Sequence, residues 1–193
     1  MRAIKDEIRI LGVDDAPFEF EQDSTKLIGS VFRGGKFLEG IIIKDVEVDG
    51  FDSTQKIIEM AMDSRHKDQL KVVILDGITF AGFNIVDLDR IAEETGLDVI
   101  AVSRKEPDRE SFLNALDNVS DKEKRKEMVE RAGEIEKFSS KEGEIYFQHR
   151  GVSREKAKKI LEISCTRSLI PEPIRVSHMI GAALVHGETK GRV

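Results

Sequence analysis

The chain has 193 residues, 39% of them hydrophobic, enough for one domain with a sizeable core and too few for two comfortable ones. Its 31 Lys and Arg against 37 Asp and Glu leave a net charge of −6, which excludes a simple basic nucleic-acid coat. A single cysteine, Cys165, excludes an internal disulfide and any cysteine-cluster zinc site.

No apolar run approaches the roughly 18 residues of a membrane span, and MRAIKDEIRI has no signal-peptide core. The expectation is a soluble, cytoplasmic, single-domain protein with no membrane partner. Charged residues make up 35%, and only seven Asn and Gln occur, the pattern of proteins that work hot.

The first half punctuates cleanly. IRILGVD (8–14) is a short branched apolar run ending on an acid, and reads as the first strand. KLIGSVFR (26–33), Gly34-Gly35 and KFLEGIIIKDVEV (36–48) read as a hairpin of strands two and three around a glycine turn. In DGFDSTQKIIEMAMDS, Asp52 with Gln55 fits a capping box opening a helix. LKVVILDG (70–77) is a buried fourth strand ending on Asp76. NIVDLDRIAEETG is a helix with Asn84 as its cap and Gly96 beyond its end, and DVIAVSRK (98–105) is a fifth strand.

Residues 106–140 are charged and predict a solvated helical insertion of two helices, the second opened by Ser120 and Glu123. A short strand EIYFQHR follows, then a helix capped by Ser153 and a final helix with Pro173 in its first turn. An antiparallel opening followed by crossovers implies a mixed five-stranded α/β sheet of order 3-2-1-4-5 with helices on both faces. That order places the ends of strands one and four side by side at a topological switch point. Both end on an aspartate, so Asp14 and Asp76 are candidate ligands for one divalent cation, Mg2+ or Mn2+. Each aspartate taken alone also suits a turn.

At these residues the sequence resembles endonuclease V, a family of ribonuclease H-like fold that cleaves nucleic acid near deaminated bases. The likeness rests on GVDD (12–15), Asp76-Gly77, Gly82-Phe83, Lys105, His149-Arg150 and Pro171-Glu172-Pro173 followed by Arg175, and covers most of the chain outside 106–140. The nearer match is a small archaeal family of unknown function beside endonuclease V. The resemblance implies Asp14 and Asp76 as metal ligands and His149 as an active-site histidine. Arg150, Arg175 and Lys105 become candidate substrate contacts. Endonuclease V also carries a Pro-Tyr-x-Pro-Gly wedge and an Arg-Glu after strand three. This chain has VEVDGFDSTQK there, leaving Asp52 or Asp49 to supply a third carboxylate.

Other features weigh less. Cys165 reads as a small buried side chain, and Phe18, Phe20, Phe51, Phe80 and Phe83 as core residues or base-stacking groups. His178 follows the PEPIR segment, where it can face solvent or a phosphate. From His149 onward nine Lys and Arg face four Glu, so a basic C-terminal third flanks an acidic centre. A metal-dependent nuclease acting on DNA or RNA leads. A non-catalytic binding or regulatory protein on the same fold and an enzyme acting on a small phosphorylated substrate compete with it. Oligomeric state is not legible.

Overall fold

A computed structural model describes residues 4–19, 21–140 and 142–189; Phe20 lies outside them. The elements in order are β1 (Arg9–Asp15), β2 (Ser24–Arg33), β3 (Phe37–Glu47), α1 (Ser53–Met62), β4 (Leu70–Asp76), a two-stranded ribbon β5 (Thr79–Phe80) and β6 (Asn84–Ile85), α2 (Leu88–Thr95) and β7 (Asp98–Ser103). Then follow α3 (Arg109–Ala115), a 3-10 turn (Leu116–Asn118), α4 (Lys122–Arg131), β8 (Glu136–Ser140), β9 (Gly143–Arg150), α5 (Arg154–Ser164) and α6 (Glu172–His186).

The main sheet runs β3-β2-β1-β4-β7-β9-β8. Its first five members are the expected 3-2-1-4-5 arrangement, with β7 as the fifth strand. The sheet has seven strands rather than five, because β9 adds antiparallel to β7 and β8 to β9. The last five residues of the 106–140 segment therefore form an edge strand, not helix. Phe138 is buried there against Ile145 and Phe147, and that burial outweighs the charged, helix-favouring composition around it.

Strand alternation sorts the core into two layers. Leu11, Val13, Val73, Leu75, Val99 and Ala101 face α1 and α2. Ile10, Val72, Ile74, Ile100 and Val102 face α5 and α6, with Ala157, Ile160, Leu161 and Ile174 packed on them. No helix among the described residues is long and apolar enough to cross a membrane.

Several local signals resolve differently from the sequence reading. Asp87, not Asn84, caps α2 by accepting from the Arg90 N–H at 3.0 Å, while Asn84 sits in the ribbon. Asp52 precedes α1 without a side-chain cap bond, and Ser120 gives way to Asp121 before α4. In each case a long-range partner or a neighbouring acid displaces the local pattern.

Candidate metal centre

β1 and β4 are parallel neighbours with Val13 opposite Leu75, so Asp14 and Asp76 leave adjacent strands at the same level. Both continue the even-numbered face covered by α6. That helix approaches β1 closely because Gly12 has no side chain: a Cβ there would come within 2.3 Å of Pro173 Cβ. Ser177 Oγ donates to the Gly12 carbonyl at 3.0 Å, and Ser30 Oγ donates to the Pro173 carbonyl at 2.6 Å. Gly181 rests against Ala16. Held this way, α6 delivers His178, whose Nδ1 lies 2.9 Å from Asp14 Oδ2. One ligand atom from each of Asp14, Asp76 and His178 lies within 4.8 Å of the others.

The electrostatics are those of a crowded acidic site. Burial and the Asp14 charge push Asp76 from 3.8 up to about 7, against the opposing pull of Arg104 and His178. Burial and Asp14 likewise push Asp15 to about 6, although Asp15 Oδ2 accepts from the Ala81 N–H at 2.6 Å. The hydrogen bond to Asp14 raises the pKa of His178. Two carboxylates and an imidazole at this spacing suit a hard or borderline divalent cation such as Mg2+ or Mn2+, whose charge would relieve the repulsion. The donor set fits such an ion.

The cluster holds Asp14 and Asp76 but none of the other residues singled out for catalysis or metal. His149 sits on β9 opposite Ile100, with Nε2 3.1 Å from Glu136 Oε1 and its ring stacked on Phe147. Asp52 Oδ1 accepts from the Glu47 N–H at 3.2 Å and from Asn84 Nδ2 at 2.7 Å. Asp49 Oδ1 accepts from the Phe83 N–H at 2.8 Å. In each carboxylate Oδ1 is engaged by backbone or amide donors of the β3–α1 and ribbon turns.

The candidate substrate contacts are also placed apart. Arg150 joins Asp89 at 2.5 Å and the Arg131 carbonyl at 2.5 Å, tying β9 to α2 and α4. Arg175 forms a bidentate pair with buried Glu172 at 2.9 and 2.8 Å. Lys105 is exposed; the neighbouring Arg104 is the cation whose field Asp76 and His178 feel. Cys165 is half-buried with its thiol pushed up to about 12 by burial, which leaves it inert.

Sequence reasoning weighed His178 only as a minor candidate and passed over Asp15. A signal for the histidine was present: Pro173, Ser177 and Gly181 recur every four residues and mark the face packed on β1, with His178 beside it.

Beside Gly77, which follows Asp76, lies a cleft of about 220 Å³. Ile78, Thr79, Phe112, Tyr146 and Gln148 line it, so the 106–140 segment supplies part of its wall.

The sequence profile of the endonuclease dU family matches residues 6–185. A UPF0215 protein of Methanothermobacter thermautotrophicus is 48% identical over 192 residues, which covers 98% of this chain and 94% of that one. A crystal structure of an Archaeoglobus fulgidus protein of unknown function superposes with a TM-score of 0.84 at 38% identity, covering 93% of this chain and 99% of the other. Endonuclease V of Ciona intestinalis, in complex with a 24mer DNA containing an inosine followed by a ribo-adenosine, superposes with a TM-score of 0.56 at 17% identity, over 88% of this chain and 82% of that one. That likeness establishes the ribonuclease H-like fold expected from the sequence. Matched along nearly its whole length and close to archaeal relatives, the chain belongs to the endonuclease dU family.

Proposed function

We propose that this protein is a divalent-metal-dependent nuclease that hydrolyses a phosphodiester of DNA or RNA next to a deaminated base. The observation that carries the reading is the convergence of Asp14, Asp76 and His178 at the ends of parallel neighbours β1 and β4. The family's description, endonuclease dU, and the inosine-containing DNA of the Ciona complex favour deoxyuridine or deoxyinosine as the deaminated nucleoside.

When bound, Mg2+ or Mn2+ supplies Lewis-acid polarisation of the phosphodiester and lowers the pKa of water. Asp14 and Asp76 hold that ion with His178. Asp14 also orients the imidazole, and in the metal-free protein it favours the cationic ring with a proton at Nδ1. Arg104 offers an exposed positive charge to the phosphates. The cleft beyond Gly77 is below the size of a drug pocket and suits a single extruded base. Phe112 and Tyr146 offer faces for stacking, and Thr79 offers a polar atom to a base edge.

The test is a calorimetric Mn2+ titration of wild type and Asp76→Asn, with cleavage of end-labelled strands containing deoxyuridine or deoxyinosine. Micromolar binding and cleavage in the wild type, both lost in the variant, are the expected result. A wild type that neither binds Mn2+ with an oligonucleotide present nor cuts either strand would sink the proposal.

A second reading, a nucleic-acid-binding regulator without catalysis, is favoured by one observation: Asp49 and Asp52 are both committed elsewhere, so the cluster has two carboxylates. It predicts oligonucleotide binding that survives chelation and the Asp76→Asn change.

A further inference from the structure

Arg125 on α4 is the largest fully buried side chain, 1% exposed, and forms no ion pair among the described residues. Its guanidinium donates instead to four main-chain carbonyls. Nε reaches Ser120 at 2.9 Å, one terminal nitrogen reaches Gly50 at 3.2 Å and also Phe83, and the other reaches Asp49 at 2.5 Å. Phe51 covers its plane, with the ring centroid 4.1 Å away. Only the planar, five-donor arginine head can join three separate segments in this way.

From those carbonyls an unbroken path of hydrogen bonds leads to the metal cluster. The Asp49 N–H donates to the Ala81 carbonyl at 2.9 Å, and the Asp49 carboxylate accepts from the Phe83 N–H. The Ala81 N–H donates to Asp15 Oδ2 at 2.6 Å. The Asp15 N–H donates to Asp14 Oδ1 at 2.9 Å, and Asp14 Oδ2 meets His178.

Backbone strain follows the same path. Among the described residues the non-glycine positions with positive φ are Asp49 at 52°, Ala81 at 44° and Asp121 at 54°. Asp49 and Ala81 are links of the path, and the Asp121 carbonyl accepts from the Arg125 N–H at the start of α4. Such conformations persist only where the surroundings over-determine them, and they cluster at sites whose geometry matters.

We infer that Arg125 is a positioning residue for the metal centre: the charged 106–140 segment uses it to lock the 49–51 loop and the 80–83 turn, and through Asp15 that lock holds Asp14 in its ligating orientation. The inference rests on the metal reading above and assigns to this segment a role in preorganising the site. Partners that orient metal ligands commonly change affinity 10- to 100-fold when removed.

The experiment compares wild type, Arg125→Met, Arg125→Lys, Asp49→Ala and a control, Phe138→Ala. Phe138 is buried on the β8 edge strand, in a core cluster that holds none of the residues of the path. Thermal melts establish that each is folded. Amide hydrogen exchange on the metal-free proteins reads Asp15, Ala81 and Phe83, and Mn2+ calorimetry reads the site.

Arg125→Met is expected to speed exchange at those amides and weaken Mn2+ about 10-fold or more. Lysine is expected to restore part of both, and Phe138→Ala to lower the melting temperature while leaving both unchanged. If Arg125→Met does not fold, Asp49→Ala carries the same expectations. Wild-type exchange at the three amides together with Mn2+ affinity within about twofold of wild type, in a folded Arg125→Met or Asp49→Ala, overturns the inference. If the wild type binds no Mn2+, the metal reading has failed on its own account, and the exchange arm still decides whether the lock exists.

Discussion

Asp14 and His178 stand 164 residues apart in sequence and 2.9 Å apart in space, carboxylate Oδ2 to imidazole Nδ1. The contact joins the end of β1 to the middle of α6 and turns a pair of strand-end aspartates into a three-donor site. Its chemistry yields the following expectations.

Asp76 titrates near 7 in the metal-free fold and near 3.8 when unfolded, so the fold holds this proton more tightly than the unfolded chain does. The stability from that proton is complete below about pH 3.8 and is lost as pH rises through about 7. Asp76→Asn keeps the shape without the charge. It should stabilise the metal-free protein at pH 8 by an amount on the order of 2 kcal/mol, read as a higher melting temperature, and by less at pH 5. Differential scanning calorimetry in chelator checks this; a lower melting temperature at pH 8 would contradict the crowding.

Metal and proton compete for the same groups. Asp76 and His178 both give up protons when an ion is held, so Mn2+ affinity should climb as pH rises through about 7. Calorimetry in two buffers of different ionisation enthalpy would show proton release on binding. A pH-independent affinity would mean that neither group is displaced.

The two histidines separate cleanly. His178→Ala should weaken Mn2+ about 10-fold or more, whereas His149→Ala, which breaks a pair with Glu136 away from the cluster, should leave it within about twofold. Equal losses in both variants would place His149 in the site after all.

Gly12→Ala tests how α6 is seated. The added methyl meets Pro173 Cβ at 2.3 Å and the Pro173 carbonyl carbon at 2.5 Å, neither of which can swing aside. A cost of about 1–3 kcal/mol or more is expected, seen as a lower denaturation midpoint. Mn2+ binding should weaken as well, because the helix that is pushed away carries His178. Unchanged stability would show that α6 can shift without loss.

Much of the frame was legible because its signals are local. Branched apolar runs ending on Asp14 and Asp76, a Gly34-Gly35 turn and the capped helices at Gly96 and Ser153 each report their own few residues. Chain topology rules did the rest, setting β1 beside β4. EIYFQHR reads as a strand but not as a member of the sheet, and β8 escapes notice because it is short and charged and its single buried Phe138 matters only once β9 is in place.

The sequence by itself determined that two carboxylates would share one end of the sheet, since a right-handed crossover leaves parallel strands few arrangements. Only the tertiary structure decided what stands beside them. Asp49, Asp52 and Asp15 are equivalent as residue types and no local periodicity ranks them, and the repeat of Pro173, Ser177 and Gly181 beside His178 marks a packed face without saying that it meets Asp14. Their fates follow from contacts between segments far apart in the chain: the seating of α6 on Gly12, and the backbone donors that claim Asp49, Asp52 and Asp15. Buried polar groups must find partners wherever the fold supplies them, and the fold supplies them over distances that sequence spacing does not encode.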